Sequence, residues 1–196
     1  MIDNVRNPAA LRDSVLDAWR QFGAGWRRPV EPDRFRQESA LSISLHRTFE
    51  VRRPVEDVWR FLTDPHCIAG CMPGAHLLDI VDGTFVGEVN LKIGPIGTTL
   101  AGEADFRELD SAGRSVLMAA TAREQTGDGA ADLRMRSRLS EHDHSVTSVD
   151  VRLGVRLAGR LDGPIVSKVL TGTAEILLRR FAACVRNRLE KTHALD

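Results

Sequence analysis

From residue 41 onward the apolar positions recur every second residue. Leu41, Ile43, Leu45, Phe49 and Val51 alternate with Ser42, Ser44, His46, Thr48 and Glu50, which predicts a one-sided strand. Arg47 falls on the apolar face, so the strand is either bulged there or carries Arg47 at a rim or mouth. Pro54 then opens a short helix with Val55, Val58, Trp59 and Leu62 on one face, and Asp64-Pro65 stops it. A second short turn or helix leads into Cys71-Met72-Pro73-Gly74.

A run of antiparallel strands follows. Phe85, Gly87, Val89, Leu91 and Ile93 share a face, and Gly94-Pro95-Ile96-Gly97 turns the chain. Leu100, Gly102, Ala104 and Phe106 line the next strand, opposite Glu103 and Asp105. A small-residue strand over residues 115–122 leaves its facing open, with Ala119 as an inward candidate. After a glycine-containing turn at 125–129, Leu133, Met135 and Leu139 alternate with Asp132, Arg134, Arg136 and Arg138. His142 and His144 fall in a solvated hairpin turn at 140–145. The longest strand carries Val149, Val151, Leu153, Val155 and Leu157 on one face and Asp150, Arg152 and Arg156 on the other. Such alternation means an antiparallel sheet with one wet and one covered face.

At residues 163–190 the period becomes helical. Gly163-Pro164 is a start signal, and Asp162 favours the positive end of the helix dipole. Ile165, Val169, Ile176, Leu177, Phe181, Val185 and Leu189 follow without a proline. The run is about 40 Å long, enough to cross a small domain. A long amphipathic helix after strands must lay its apolar stripe on their sheet. The class is therefore α+β, a curved antiparallel sheet of six to seven strands around a long C-terminal helix. The domain spans 41–192, and residues 1–40 form a helical extension and linker. In that extension Leu11, Val15, Trp19 and Phe22 make a stripe before Gly23 and Gly25 end it. It either docks on its own domain, binds a partner or membrane surface, or stays disordered.

Composition narrows the function. The 196 residues hold 27 Lys plus Arg and 27 Asp plus Glu, so no net field draws the chain to nucleic acid. Three cysteines and no signal peptide point to a reducing, cytoplasmic setting. No stretch approaches the length of a membrane span. With aromatics at 5% and tyrosine absent, the interior is filled by aliphatic residues and methionine.

Candidate chemistry is sparse. His66, Cys67, Cys71 and His76 crowd together, but C-x3-C with outlying histidines matches no standard zinc spacing. Cys71 reads better as a small buried hydrophobe; a reactive thiol there has no support in the pattern. Apart from Arg47 the inward positions hold almost nothing titratable, and no nucleophile elbow, phosphate loop or dinucleotide fingerprint is present. An enzyme is the lesser reading. Small residues at Gly87, Gly102, Ala104, Ala119, Gly172 and Ala174 allow either close helix–sheet contact or room for an apolar ligand.

Residues 49–65, FEVRRPVEDVWRFLTDP, resemble the first strand and helix of the START-like (SRPBCC) superfamily, the helix-grip fold. Residues 71–79, CMPGAHLLD, and 87–106, GEVNLKIGPIGTTLAGEADF, resemble the CoxG family of carbon monoxide dehydrogenase. The resemblance covers about residues 44–189. It implies a non-enzymatic accessory to a molybdenum hydroxylase of the carbon monoxide dehydrogenase type. The fold's cavity would carry an apolar molecule, a lipid or a quinone (menaquinone or ubiquinone), and help couple the enzyme to the inner face of the cell membrane. No covalent cofactor or metal is implied. The alternatives are a solid-cored docking or recruitment subunit and a polyketide-cyclase-like enzyme.

On that resemblance the ligand site is expected at the mouth on Trp59, Met72 and Pro73. Its sheet wall is expected on Val89, Leu91, Ile93, Leu100, Ala104 and Phe106, continuing through Leu133, Met135, Val151 and Leu153. The helix floor is expected on Val169, Gly172, Thr173, Ile176, Leu177 and Phe181.

Overall fold

The computed structural model of the protein describes residues 42–93, 96–161 and 164–191. The chain divides into two units, Met1–Ser39 and Ala40–Asp196, and every described residue belongs to the second. The expectations for residues 1–40, for Gly94-Pro95 and for Asp162-Gly163 lie outside the described residues, as does the side chain of Ile93.

Seven strands form one antiparallel sheet: β1 (Ser42–Val51), β2 (Ala75–Val81), β3 (Thr84–Ile93), β4 (Ile96–Asp110), β5 (Ser115–Glu124), β6 (Ala130–Asp143) and β7 (Val146–Ala158). Their order is β1-β7-β6-β5-β4-β3-β2. Strands β2 to β7 follow as consecutive hairpins, and β1 returns to the edge beside β7. Between β1 and β2 lie α1 (Val55–Leu62) and α2 (Pro65–Cys71); after β7 a 3-10 turn (Gly159–Leu161) leads to α3 (Pro164–Lys191). Strand β2 is the least legible in the sequence. A register shift between Leu77 and Asp79 breaks its alternation, as a bulge does.

The short helices begin as their sequence dictates. Asp64 caps α2, its Oδ1 accepting from the backbone N–H of His66 at 2.8 Å and of Cys67 at 3.3 Å. Beyond α2, Gly74 takes φ +79°, and a Cβ there would lie 2.4 Å from the carbonyl oxygen of Asn90. That close approach lets the Asn90 N–H donate to Gly74 O at 2.9 Å, joining the Cys-Met-Pro-Gly turn to β3.

The register assigns every strand face. Across the sheet, Phe106 pairs with Met118 and Met118 with Met135; Met135 pairs with Leu153 and Leu153 with Leu45. Val116, Met118, Ala120 and Ala122 therefore face inward. Ala119, which pairs with Asp105 and Arg134, faces outward, contrary to expectation. The small side chains of this strand give no period-two contrast.

Two buried clusters fill the concave side. One joins Val51, Val149 and Val151 to Val58 and Leu62 of α1, Cys71 of α2, and Phe181 and Val185 of α3. The other gathers Ile43, Leu100, Val155, Leu157 and Leu161, with Leu91, Leu133, Leu153 and Leu170 packed against it.

The phase of α3 differs from expectation. Among its described side chains, Ala174, Phe181, Ala182 and Val185 are buried, with Leu170 and Leu178 on the same side. Val169 is 37% and Ile176 44% exposed; Gly172 is exposed too, with open space around an added Cβ. The reason is rotational. Phe181 follows Ile176 by five residues, which turns the helix about 140°, so the two cannot share a face. The expected stripe combined residues from two sides of the helix.

Candidate ligand site

The site begins with the rows of side chains that the register lays across the inner face. Gly102 pairs with Ala122 and Ala122 with Ala131. The next row is Ala104, Ala120 and Leu133, and the third is Phe106, Met118 and Met135. The backbone of β5 comes close to Gly102. A Cβ at Gly102 would lie 2.0 Å from the Thr121 carbonyl oxygen. The small residues of the first two rows leave a low belt between the two clusters. Phe85, Val89, Leu91, Ala104, Phe106, Met118 and Ala120 are apolar and point inward, yet each stays partly exposed. Phe85 and Phe106 meet edge to face, with centroids 5.1 Å apart.

Beside this belt is a cavity of about 20 Å3, lined by Phe106, Val116, Met135, Ser137, Val149 and Val151 from the sheet. Leu62, Ile68, Leu178 and Phe181 close it from α1, α2 and α3. Ser137, 4% exposed, is its one polar lining residue. The space admits about one water molecule. Ligand pockets of about 300 Å3 or more are usual, so a larger guest needs the walls to part.

Polar groups ring the site. Arg47 does sit at the rim: it faces inward beside Val151 of β7, and its guanidinium pairs with the Glu175 carboxylate on α3. At the far end of the sheet Glu124 is buried. Its carboxylate accepts from both Nε and, at 2.7 Å, Nη2 of Arg160. It also accepts from Thr98 Oγ1 at 2.5 Å and from the Gly129 N–H at 3.1 Å. The Arg160 hydrogen bonds above all hold its pKa down at about 2 against the opposing effect of burial. At the opposite end Arg114 lies over the Trp59 ring, 5.6 Å from its centroid, and pairs with Glu56. This ties the β4–β5 turn to α1.

On the outer face Glu103 and Asp105 lie side by side along β4. Burial, and then the Asp105 charge, push the Glu103 pKa up. Arg107 Nε comes within 2.7 Å of Asp105 Oδ1, a buried oxygen with no hydrogen-bond partner among the described residues.

Of the expected site residues, Phe106, Met135, Val151 and Phe181 line the cavity. Trp59 and Met72 pack against the first cluster; Pro73, Val89, Ala104, Thr173 and Leu177 are partly buried. Leu91, Leu100, Leu133 and Leu153 belong to the second cluster, and Val169, Gly172 and Ile176 turn away. Leu62, Ile68, Val116, Ser137, Val149 and Leu178 complete the lining without having been expected there. Val149 was legible as inward; Ser137 was hidden because a hydroxyl breaks the apolar pattern.

The cysteine reading also changes. Cys71, 4% exposed, forms a disulfide with Cys184 of α3 across 113 residues. Two thiols so far apart in sequence carry no pairing signal. The bond removes Cys71 from any metal set, and His66 and His76 are both exposed.

A curved antiparallel sheet gripping a long C-terminal helix over an apolar interior defines a START-like helix-grip protein. Residues 48–190 match the family profile described as the CoxG subunit of carbon monoxide dehydrogenase, and the chain belongs to that family. Among solved structures it is similar to a conserved protein from Geobacillus kaustophilus, at 18% identity and TM-score 0.68, covering 78% of this chain and 97% of that one. It is also similar to the ZhuI aromatase/cyclase from Streptomyces sp. R1128, at 16% identity and TM-score 0.57, covering 77% and 95%. A START superfamily protein from Mycobacterium smegmatis aligns at 17% identity and TM-score 0.52, covering 76% and 98%. These likenesses establish the fold. No curated protein matches the chain. No described helix is long and apolar enough to cross a membrane.

Proposed function

We propose that the protein is a non-enzymatic accessory subunit that carries an apolar molecule, a quinone or a lipid, between the sheet and α3. It would serve a molybdenum hydroxylase of the carbon monoxide dehydrogenase type, peripherally, at the cytoplasmic face of the membrane. One observation carries the reading. Seven apolar inward residues of β3, β4 and β5, namely Phe85, Val89, Leu91, Ala104, Phe106, Met118 and Ala120, remain partly exposed, while Leu100 and Val116 beside them are buried. Uncovered apolar surface is costly, at about 25 cal/mol per Å2, and a bound chain would cover it. Membership of the CoxG family supports the partner. The inward face also offers little for acid–base work, because its buried carboxylate, Glu124, is locked to Arg160.

Organic extraction of the purified protein followed by mass spectrometry should release a prenylated quinone or a lipid in near-stoichiometric amount. An extract without either, together with failure to take up added quinone, would overturn the reading. The small cavity favours a second reading, a solid-cored docking subunit. In that case co-purification with the hydroxylase would survive substitutions that fill the cavity.

A further inference from the structure

The walls of the cavity differ in how they can move. Phe106, Val116, Met135, Ser137, Val149 and Val151 stand on β4 to β7, whose ladders are interrupted near these positions only by the bulge between Phe106 and Glu108. Parting them would break backbone hydrogen bonds. Leu62, Ile68, Leu178 and Phe181 stand on helices, which keep their own hydrogen bonds when they shift as bodies. A guest larger than a water molecule must therefore enter by separating the helices from one another or from the sheet.

The disulfide spans that seam. Cys71 lies one helical turn past Ile68 on α2, and Cys184 one turn past Phe181 on α3. Beside it, Arg188 Nη2 donates to Gly70 O at 3.0 Å. One covalent bond and one hydrogen bond thus reinforce the apolar packing of α2 on α3, one turn from the lining residues Ile68 and Phe181. The backbone beyond Cys71 turns through Met72, Pro73 and Gly74, and the Asn90 N–H donating to Gly74 O at 2.9 Å fixes that turn to β3, so α2 can move only about it.

We propose that the Cys71–Cys184 disulfide is a redox latch on the cavity: oxidised it keeps the space closed, and reduced it lets α2 lift and admit the apolar guest. The inference rests on the apolar-ligand reading above. The reductant is a dithiol. Its first thiolate attacks Cys184, the partly exposed partner, forming a mixed disulfide and releasing the Cys71 thiolate, which takes up a proton. The second thiol of the reductant then displaces Cys184. The reductant leaves as a cyclic disulfide, and two electrons and two protons end on the two cysteines. The third cysteine, Cys67, sits one turn before Cys71 on α2. Burial, reinforced by Asp64, pushes its pKa up, which keeps it a poorly nucleophilic thiol. The latch answers to an external reductant.

The full-length protein would be titrated with dansyl-undecanoic acid, a fluorescent probe with no redox chemistry of its own. Oxidised protein, protein reduced by a dithiol and desalted under argon, and the Cys71→Ser/Cys184→Ser double variant would be compared. The reduced and double-variant forms should bind at least about tenfold more tightly, since a mostly closed state raises the apparent Kd by the reciprocal of its open fraction. Reductant should leave the double variant unchanged. Equal affinity in the oxidised and reduced wild type overturns the latch and leaves the ligand reading standing. No binding in either state overturns both. Loss of the cooperative melt on reduction overturns the latch as well, because the bond would then be a structural staple. If the double variant does not fold, the two wild-type forms decide the matter.

Discussion

Arg47 on β1 reaches across the rim of the sheet to Glu175 on α3, an inward-facing cation held by the helix it helps to seat. The side chains are 50% and 39% exposed, so water screens the pair. A double-mutant cycle of Arg47→Met and Glu175→Gln, read by chemical denaturation, should give a coupling of about 1 kcal/mol or less. It should shrink as salt rises. A larger, salt-insensitive coupling would mean that the rim is drier than the structure shows.

The phase of α3 has a direct test. Gly172 is exposed with open space beside it, so Gly172→Ala should stabilise the protein by about 1 kcal/mol through helix propensity. Gly172→Leu should leave probe uptake unchanged. Ala174 is 9% exposed on the packed face, so Ala174→Leu should cost about 1–3 kcal/mol by overpacking and reduce uptake. Thermal melts and probe titrations of the variants read both outcomes. The opposite ranking would return Gly172 to the inner face.

Acid should act through Glu124. Its folded pKa of about 2 lies below the ordinary glutamate value. The stability it contributes is therefore complete above about pH 4.5 and is lost as pH falls towards 2. Urea denaturation at stepped pH should show that loss in the wild type and a flatter profile in Glu124→Gln. Glu124→Ala, which strips the buried Gly129 N–H of its acceptor, should cost about 1–3 kcal/mol at neutral pH.

Gly74 combines a left-handed backbone with a carbonyl oxygen where its Cβ would be. Gly74→Ala should destabilise by more than about 1 kcal/mol and speed amide exchange at Asn90, whose N–H donates to Gly74. Hydrogen exchange followed by mass spectrometry would detect this, and unchanged protection would remove the turn from the account.

Much of the fold was legible because a strand's facing has period two. The contrast between Leu133 or Met135 and Arg134 or Arg136 assigns sides without any knowledge of neighbours. It failed where contrast was missing: Ala119 and Ala120 are alike in size and polarity, and only pairing with Arg134 and Leu133 separates them. The site was less legible. Helical phase accumulates about 100° per residue, so an apolar list that includes Val169 and Ile176 is compatible with more than one face.

By itself, then, the sequence determined the class, the element order and the inward set of most strands, and narrowed Arg47 to a bulge or a rim. Each of these depends on residues close together along the chain. Tertiary structure alone decided that Cys71 meets Cys184, that Glu124 meets Arg160, and that Ser137 stands inside a cavity. Those contacts join β-hairpins and helices far apart in sequence, and only the register of seven strands and the rotation of α3 bring them together.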